Sequence, residues 1–194
     1  MSAWILCAPG PSYDPAKIPS NGRVICVNAA LKGAPRCDFW SAWDNPNDIH
    51  EAVFPDFVRL RPELATDKSR AHHWIKWWET RGVPRDLFPS IRTPVYGPLW
   101  FKVAAKSPLF TTFASMSFAI QEGATHIHLL GCDMGGTRYF DEQVSSLQRV
   151  TKRPARVWNA RWERERGMMA RVIKAGKANG IAFSGVDLAL LPDV

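Results

Sequence analysis

Short apolar runs that stop abruptly at loop-forming residues, separated by stretches of helical period, dominate this 194-residue sequence. The first, within "WILCAPGPSYD" (4–14), drives straight into Gly-Pro-Ser. "RVICV" (23–27), "CDFWSAWDN" (37–45), residues 91–96, "HIHLLG" (126–131) and "IAFSGV" (181–186) repeat the pattern. Most are continuously apolar, as expected of strands covered on both faces. Between them, "SRAHHWIKWWETRG" (69–82) has a Ser start, a Gly stop and Trp74, Trp77 and Trp78 at helical spacing. A second helix is predicted across 111–122, with Thr111 or Thr112 as N-cap and Gly123 at its end. A third runs from Trp158 to about Asn179, with Trp162, Met169, Val172 and Ile173 on one face. Strands alternating with helices predict an α/β fold: one doubly wound, mainly parallel, Rossmann-like sheet with helices on both faces. The length suits a single domain over 1–194, and the aperiodic stretch 135–157 reads as a loop or short lid.

In such a sheet ligands bind beyond the carboxyl ends of the strands, where the strand order reverses. The unusual residues fall there. Gly10-Pro11-Ser12 follows the first strand, Asn28 the second, Asp44-Asn45 the third, and Asp133 the strand at 126–131. Gly10 lacks a β-carbon, so its backbone can approach either a phosphate or another part of the chain. Backbone N–H groups in such a turn form an anion nest. Asn28 offers both a donor and an acceptor, as recognition of a base or sugar edge requires. Asp44 and Asp133 can accept from sugar hydroxyls, hold a cation or take a proton. The turn matches neither G-x-G-x-x-G nor the phosphate-binding P-loop.

Charge adds a second constraint. The chain carries a net +7, yet between Arg149 and Lys177 ten Lys and Arg face only Glu163 and Glu165. The basicity is therefore local, and it predicts an anionic partner near that segment: a donor diphosphate, a nucleic acid, or an anionic lipid or glycan. No apolar stretch approaches the ~20 residues of a membrane span. The N-terminus lacks the pattern of a secretory leader. Cys7, Cys26, Cys37 and Cys132 show no C-x-x-C pairing, which predicts reduced thiols and a cytoplasmic protein.

"CAPGPS", "VICVNAAL", "CDFWSAWDN" and "TTFASMSFAIQEGATHIHLLGCDM", in that order, resemble the motifs of bacterial sialyltransferases of glycosyltransferase family 42. They also resemble the related group of hydroxymethylpterin pyrophosphokinases and motility-associated glycosyltransferases. The resemblance spans roughly 4–45 and 110–134. It implies a pocket for a nucleotide-activated donor, with Gly10, Pro11, Ser12, Asn28, Asn45 and Ser115 binding it and Asp44 and Asp133 beside it. It also implies that a lid tyrosine, here Tyr139, grips the donor phosphate. Lys152, Arg153 and Arg156 would add charge that stabilises the departing nucleotide. Those sialyltransferases use a His after the lid as general base. None follows His128 here, so the role would pass to Asp133 or Asp44, or the acceptor would need little deprotonation.

Three functions fit these residues. The first is a transferase for a nucleotide sugar that needs no metal or other cofactor; a D-x-D metal motif is missing. The second is pyrophosphoryl transfer from ATP, with Asp44 and Asp133 holding magnesium. The third is a non-catalytic nucleic-acid-binding protein using the basic face of the last helix. Two further clusters have simpler readings. His126 and His128 alternate on a strand and share a face, but spacing places no third metal ligand. The Trp74, Trp77 and Trp78 stripe can stack bases, but at helical spacing it reads first as core.

Overall fold

A computed structural model describes residues 2–93, 97–106, 110–133 and 155–185. Seven parallel strands form one sheet: β1 Ala3–Cys7, β2 Arg23–Val27, β3 Phe39–Ser41, β4 Glu63–Ala65, β5 Ile91–Arg92, β6 His126–Leu130 and β7 Ala182–Ser184. Their order across the sheet is β5-β4-β3-β2-β1-β6-β7. The chain thus builds outward from β1 in one direction, then returns to lay β6 and β7 on its other side. The reversal lies between β1 and β6, whose carboxyl ends are level, with Cys7 beside Leu130. The α/β expectation holds, and among the described residues every strand pair is parallel.

The pleat sends alternate residues of each strand to opposite layers. Trp4, Leu6, Ile25, Val27, Phe39, Ile127 and Leu129 face one layer. It is covered by α4 (Leu99–Ala105), α5 (Thr111–Gln121) and α6 (Ala155–Ala178). Ile5, Cys7, Val24, Cys26, Trp40 and Leu64 face the other. There α1 (Asp48–Ala52), α2 (Phe54–Leu60) and α3 (Ala71–Glu79) pack. Burial on both sides explains the continuous apolar runs of β1 and β2.

The tryptophan stripe of α3 is core. Trp74, Trp77 and Trp78 are buried, and Trp78 stacks on Phe57 with ring centroids 5.6 Å apart. The four cysteines are free and buried, where a thiol packs as a small hydrophobe.

Local signals and structure differ in places. The helix α5 begins at Thr111, as expected, but its N-cap is Phe110, with no side-chain cap. The threonines lie inside the first turn. Residues 135–154 of the anticipated lid lie outside the described residues, and 155–157 belong to α6. Among the described residues, no helix is long and apolar enough to cross a membrane.

The basic face of α6 is partly used internally. Arg161 donates to Glu165 at 2.7 Å and lies over the Phe110 ring, as Arg164 does. Burial raises the Glu165 carboxyl above its usual range, and the Arg161 guanidinium opposes that shift. Arg171 donates to the Ala104 carbonyl at 3.0 Å, satisfying a C-terminal carbonyl of α4.

Candidate functional site

At the reversal, the loops after β1 and β6 interlock. Ala8 N–H donates to Leu130 O at 2.8 Å and Gly10 N–H to Gly131 O at 3.0 Å. The Ser12 N–H donates to Asp133 Oδ2 at 2.9 Å. A β-carbon on Gly10 would collide with the Gly131 carbonyl and the Asp133 carboxylate. Gly131 sits at φ +66°, and its own missing β-carbon leaves room for the Ala8 carbonyl. The bare backbone of Gly10 therefore accommodates the chain itself. What lies open above it is the exposed Pro11-Ser12 turn.

Tyr13, which no motif marks in the sequence, completes this turn. Its N–H donates to Gly10 O at 3.0 Å, closing the loop. Its buried hydroxyl donates to Ala30 O at 2.7 Å, which ties the β1 loop to the turn after β2. Burial pushes that hydroxyl's pKa far above the ordinary phenol, so it stays a donor.

Asn28 opens the 3-10 turn Asn28–Leu31 at the end of β2, with φ +45°, a left-handed value that asparagine tolerates better than most residues. Its carbonyl accepts from Trp40 Nε1 at 2.9 Å. Its Oδ1 lies 3.5 Å from Nε2 of His50. His50 is buried between Trp40 and Trp74, and burial lowers its pKa to about 3. Nδ1 of this neutral ring accepts the Asn47 N–H at 3.1 Å, which assigns the proton to Nε2, facing Asn28 Oδ1. The Asn28 amide NH2 makes no hydrogen bond among the described residues. Asp133 Oδ1 is in the same position.

The remaining expected residues lie further off. Asp44 and Asn45 are exposed after β3, and Asn45 Oδ1 accepts from Arg70 Nη1 at 3.0 Å. β3 stands three strand spacings from β6, about 14 Å. Asp44 and Asp133 are thus rooted at opposite sides of the rim, a poor starting point for a shared magnesium ion. Ser115 is buried in α5, its hydroxyl 2.6 Å from Ser41 Oγ at the end of β3 and 2.7 Å from Thr111 O. Arg156 falls within α6, while Tyr139, Lys152 and Arg153 lie outside the described residues.

The fold is that of an open parallel α/β sheet whose strand order reverses between β1 and β6, a Rossmann-like architecture. No protein-family model matches the chain, and no curated protein matches it in sequence. Solved structures do. The sialyltransferase CstII from Campylobacter jejuni, in complex with the substrate analogue CMP-3FNeuAc, is similar with a TM-score of 0.54 and 15% identity, over 95% of this chain and 86% of that chain. A variant of the same sialyltransferase in complex with CMP gives 0.51 and 12%, over 94% and 86%. The fold is therefore glycosyltransferase-like, of the sialyltransferase kind. The pyrophosphokinase grouping and a nucleic-acid partner draw no support from these likenesses.

Proposed function

We propose that the protein is a transferase that binds a nucleotide-activated donor, most simply a nucleotide sugar, in the crevice at the β1/β6 reversal. What supports the reading is that three sequence-distant elements follow the carboxyl ends of the neighbouring strands β2, β1 and β6. The Pro11-Ser12 turn is fastened to Asp133, and Asn28 is oriented by His50 one strand away. Solved structures of the same fold hold CMP or a CMP-sugar analogue.

In this reading the Ser12 hydroxyl and the Asn28 amide hold the donor's sugar and phosphate oxygens. Gly10 shapes the turn that carries Ser12. Asp133 is the proposed general base through Oδ1, since Oδ2 is engaged by the Ser12 N–H. Asn45 and Asp44 would meet the far end of the donor or the acceptor. Tyr139, Lys152, Arg153 and Arg156 are the proposed contacts to the phosphates, where positive charge stabilises the leaving nucleotide.

Calorimetric titration of the full chain with cytidine and uridine mono- and diphosphates tests the proposal. Saturable binding that weakens at least tenfold in Asn28→Ala supports it. Absence of binding at millimolar nucleotide, or binding indifferent to Asn28→Ala, overturns it.

A further inference from the structure

Trp43 lies just past the carboxyl end of β3, beside Asp44 and Asn45, and neither apolar layer uses its ring. Every other tryptophan whose side chain is described belongs to one of those layers or packs on it. Trp43 is half-buried and has no stacking partner among the described residues.

Its edge, by contrast, is anchored. The indole Nε1–H donates to Ser41 Oγ at 3.0 Å. Ser41 Oγ lies 2.6 Å from Ser115 Oγ, which is 2.7 Å from Thr111 O. A hydroxyl carries one hydrogen and a carbonyl none. Ser115 therefore donates to Thr111 O, Ser41 to Ser115 and Trp43 to Ser41, so every donor in the chain is used. Both serines are buried. The backbone beneath the ring is fixed as well: Ala42 N–H donates to Ala65 O at 3.1 Å, and Thr66 Oγ1 to Ala42 O at 2.6 Å. A ring held by its edge, with faces outside the core packing, is a platform ordered in advance, which lowers the entropic cost of binding.

Its position fits one part of the donor. Ser41 pairs with Val27, so Trp43 follows the strand next to the one that ends in Asn28. β3 stands two strand spacings from β1, about 10 Å, on the side away from β6. The proposed phosphate contacts all come from the chain after β6. The exposed Asp44 carboxylate repels phosphate, so this end of the rim suits the part of the donor beyond its phosphates. A saccharide ring presents a face of C–H groups and an edge of hydroxyls. The electron-rich face of an indole attracts the C–H groups. Asp44 can accept from the hydroxyls. Arg70 occupies Asn45 Oδ1, so the Asn45 amide offers its NH2 as a donor.

Resting on the nucleotide-sugar reading above, we propose that Trp43 is the platform for the donor's transferred glycosyl ring, with Asp44 and Asn45 holding its hydroxyls. The ribose and phosphates stay with the Ser12 turn and Asn28, and Trp43 responds to what the nucleotide carries.

Calorimetric titration of the full chain compares a nucleotide with its sugar conjugate: CMP with CMP-3FNeuAc, and UDP with UDP-glucose. At least one conjugate is expected to bind tighter than its nucleotide. Trp43→Ala should weaken that conjugate by about fivefold or more and change the nucleotide alone by less than about twofold. Trp43→Phe keeps a ring without the anchoring N–H and should fall between wild type and Trp43→Ala. Asp44→Ala, at an exposed position, should act on the conjugate with the same selectivity. Circular dichroism establishes that the variants fold. Conjugates that bind no tighter than their nucleotides overturn the proposal. So does a Trp43→Ala loss shared equally by nucleotide and conjugate, which would assign the ring to the base or phosphates. Unchanged conjugate binding in either alanine variant also overturns it, while leaving the nucleotide-binding reading in place. Absence of all nucleotide binding in the wild type overturns that reading, and this proposal with it.

Discussion

The backbone N–H of Ser12 and the carboxylate of Asp133 are separated by 121 residues in sequence and by 2.9 Å in space. That bond closes the sheet's point of reversal. It joins the first loop of the fold to the loop after β6, and it engages Oδ2, leaving Oδ1 for the base role proposed above. Asp133→Ala should loosen the Ser12 turn, cost about 1 kcal/mol of stability and weaken nucleotide binding at least tenfold. Asp133→Asn should retain the fold and bind nucleotide within a few-fold of wild type, yet lose transfer activity. Denaturant unfolding, titration and a donor-consumption assay separate these effects.

Gly10 offers a steric test. Its missing β-carbon is the space occupied by Gly131 O and the Asp133 carboxylate. Gly10→Ala must push the two loops apart, at a cost of about 2 kcal/mol. A Tm lowered by about 4–8 °C is the expected result for a chain of this size. An unchanged Tm would mean that the loops do not interlock as described.

His50 gives the fold an acid-sensitive point. Its pKa in the folded protein is about 3, below the ordinary 6.5, because burial between Trp40 and Trp74 disfavours the imidazolium. The unfolded chain therefore takes up this proton first. Stability contributed by the neutral ring is complete above about pH 6.5 and is lost as pH falls toward 3, by at most roughly 1.4 kcal/mol per pH unit. Thermal melts between pH 7 and 4.5 should show this decline. His50→Gln keeps a side chain suited to the capping box with Asn47 while removing the titration, so its melts should depend less on pH.

The tryptophan stripe separates packing from stacking. Trp78→Ala should cost about 3–5 kcal/mol, because the side chain is fully buried against Phe57 and Phe88. Trp77→Phe should change nucleotide affinity less than about twofold, since this ring packs against Phe54 and Trp74 within the core. Loss of nucleotide binding in Trp77→Phe would instead assign the stripe to the ligand.

Strands β1, β2 and β6 were legible because residues covered on both faces, or alternately buried, leave a direct hydrophobic record. The elements α1, α2, β4 and α4 left a weaker one. β4 is only Glu63–Ala65, and α1 and α2 are short helices separated by Val53 alone. The capping box that starts α1 uses His50 where Glu or Gln is the usual signal. The polar strand ends were legible as a set, but their contacts were not. In sequence Gly10 suits the approach of either a ligand or another part of the chain; the fold decides for the loop after β6. Tyr13 is an ordinary aromatic in sequence; only the fold reveals the carbonyl of Ala30 at its hydroxyl. Likewise the charge count could not foresee that Arg161 and Arg171 are occupied by Glu165 and the end of α4.

A crystal structure of the protein soaked with CMP addresses the central claim most directly. The account predicts nucleotide density at the β1/β6 reversal, with hydrogen bonds to the Ser12 turn and to the Asn28 amide. Nucleotide bound along the basic face of α6, or an empty reversal at a nucleotide concentration that saturates the protein in solution, would contradict it.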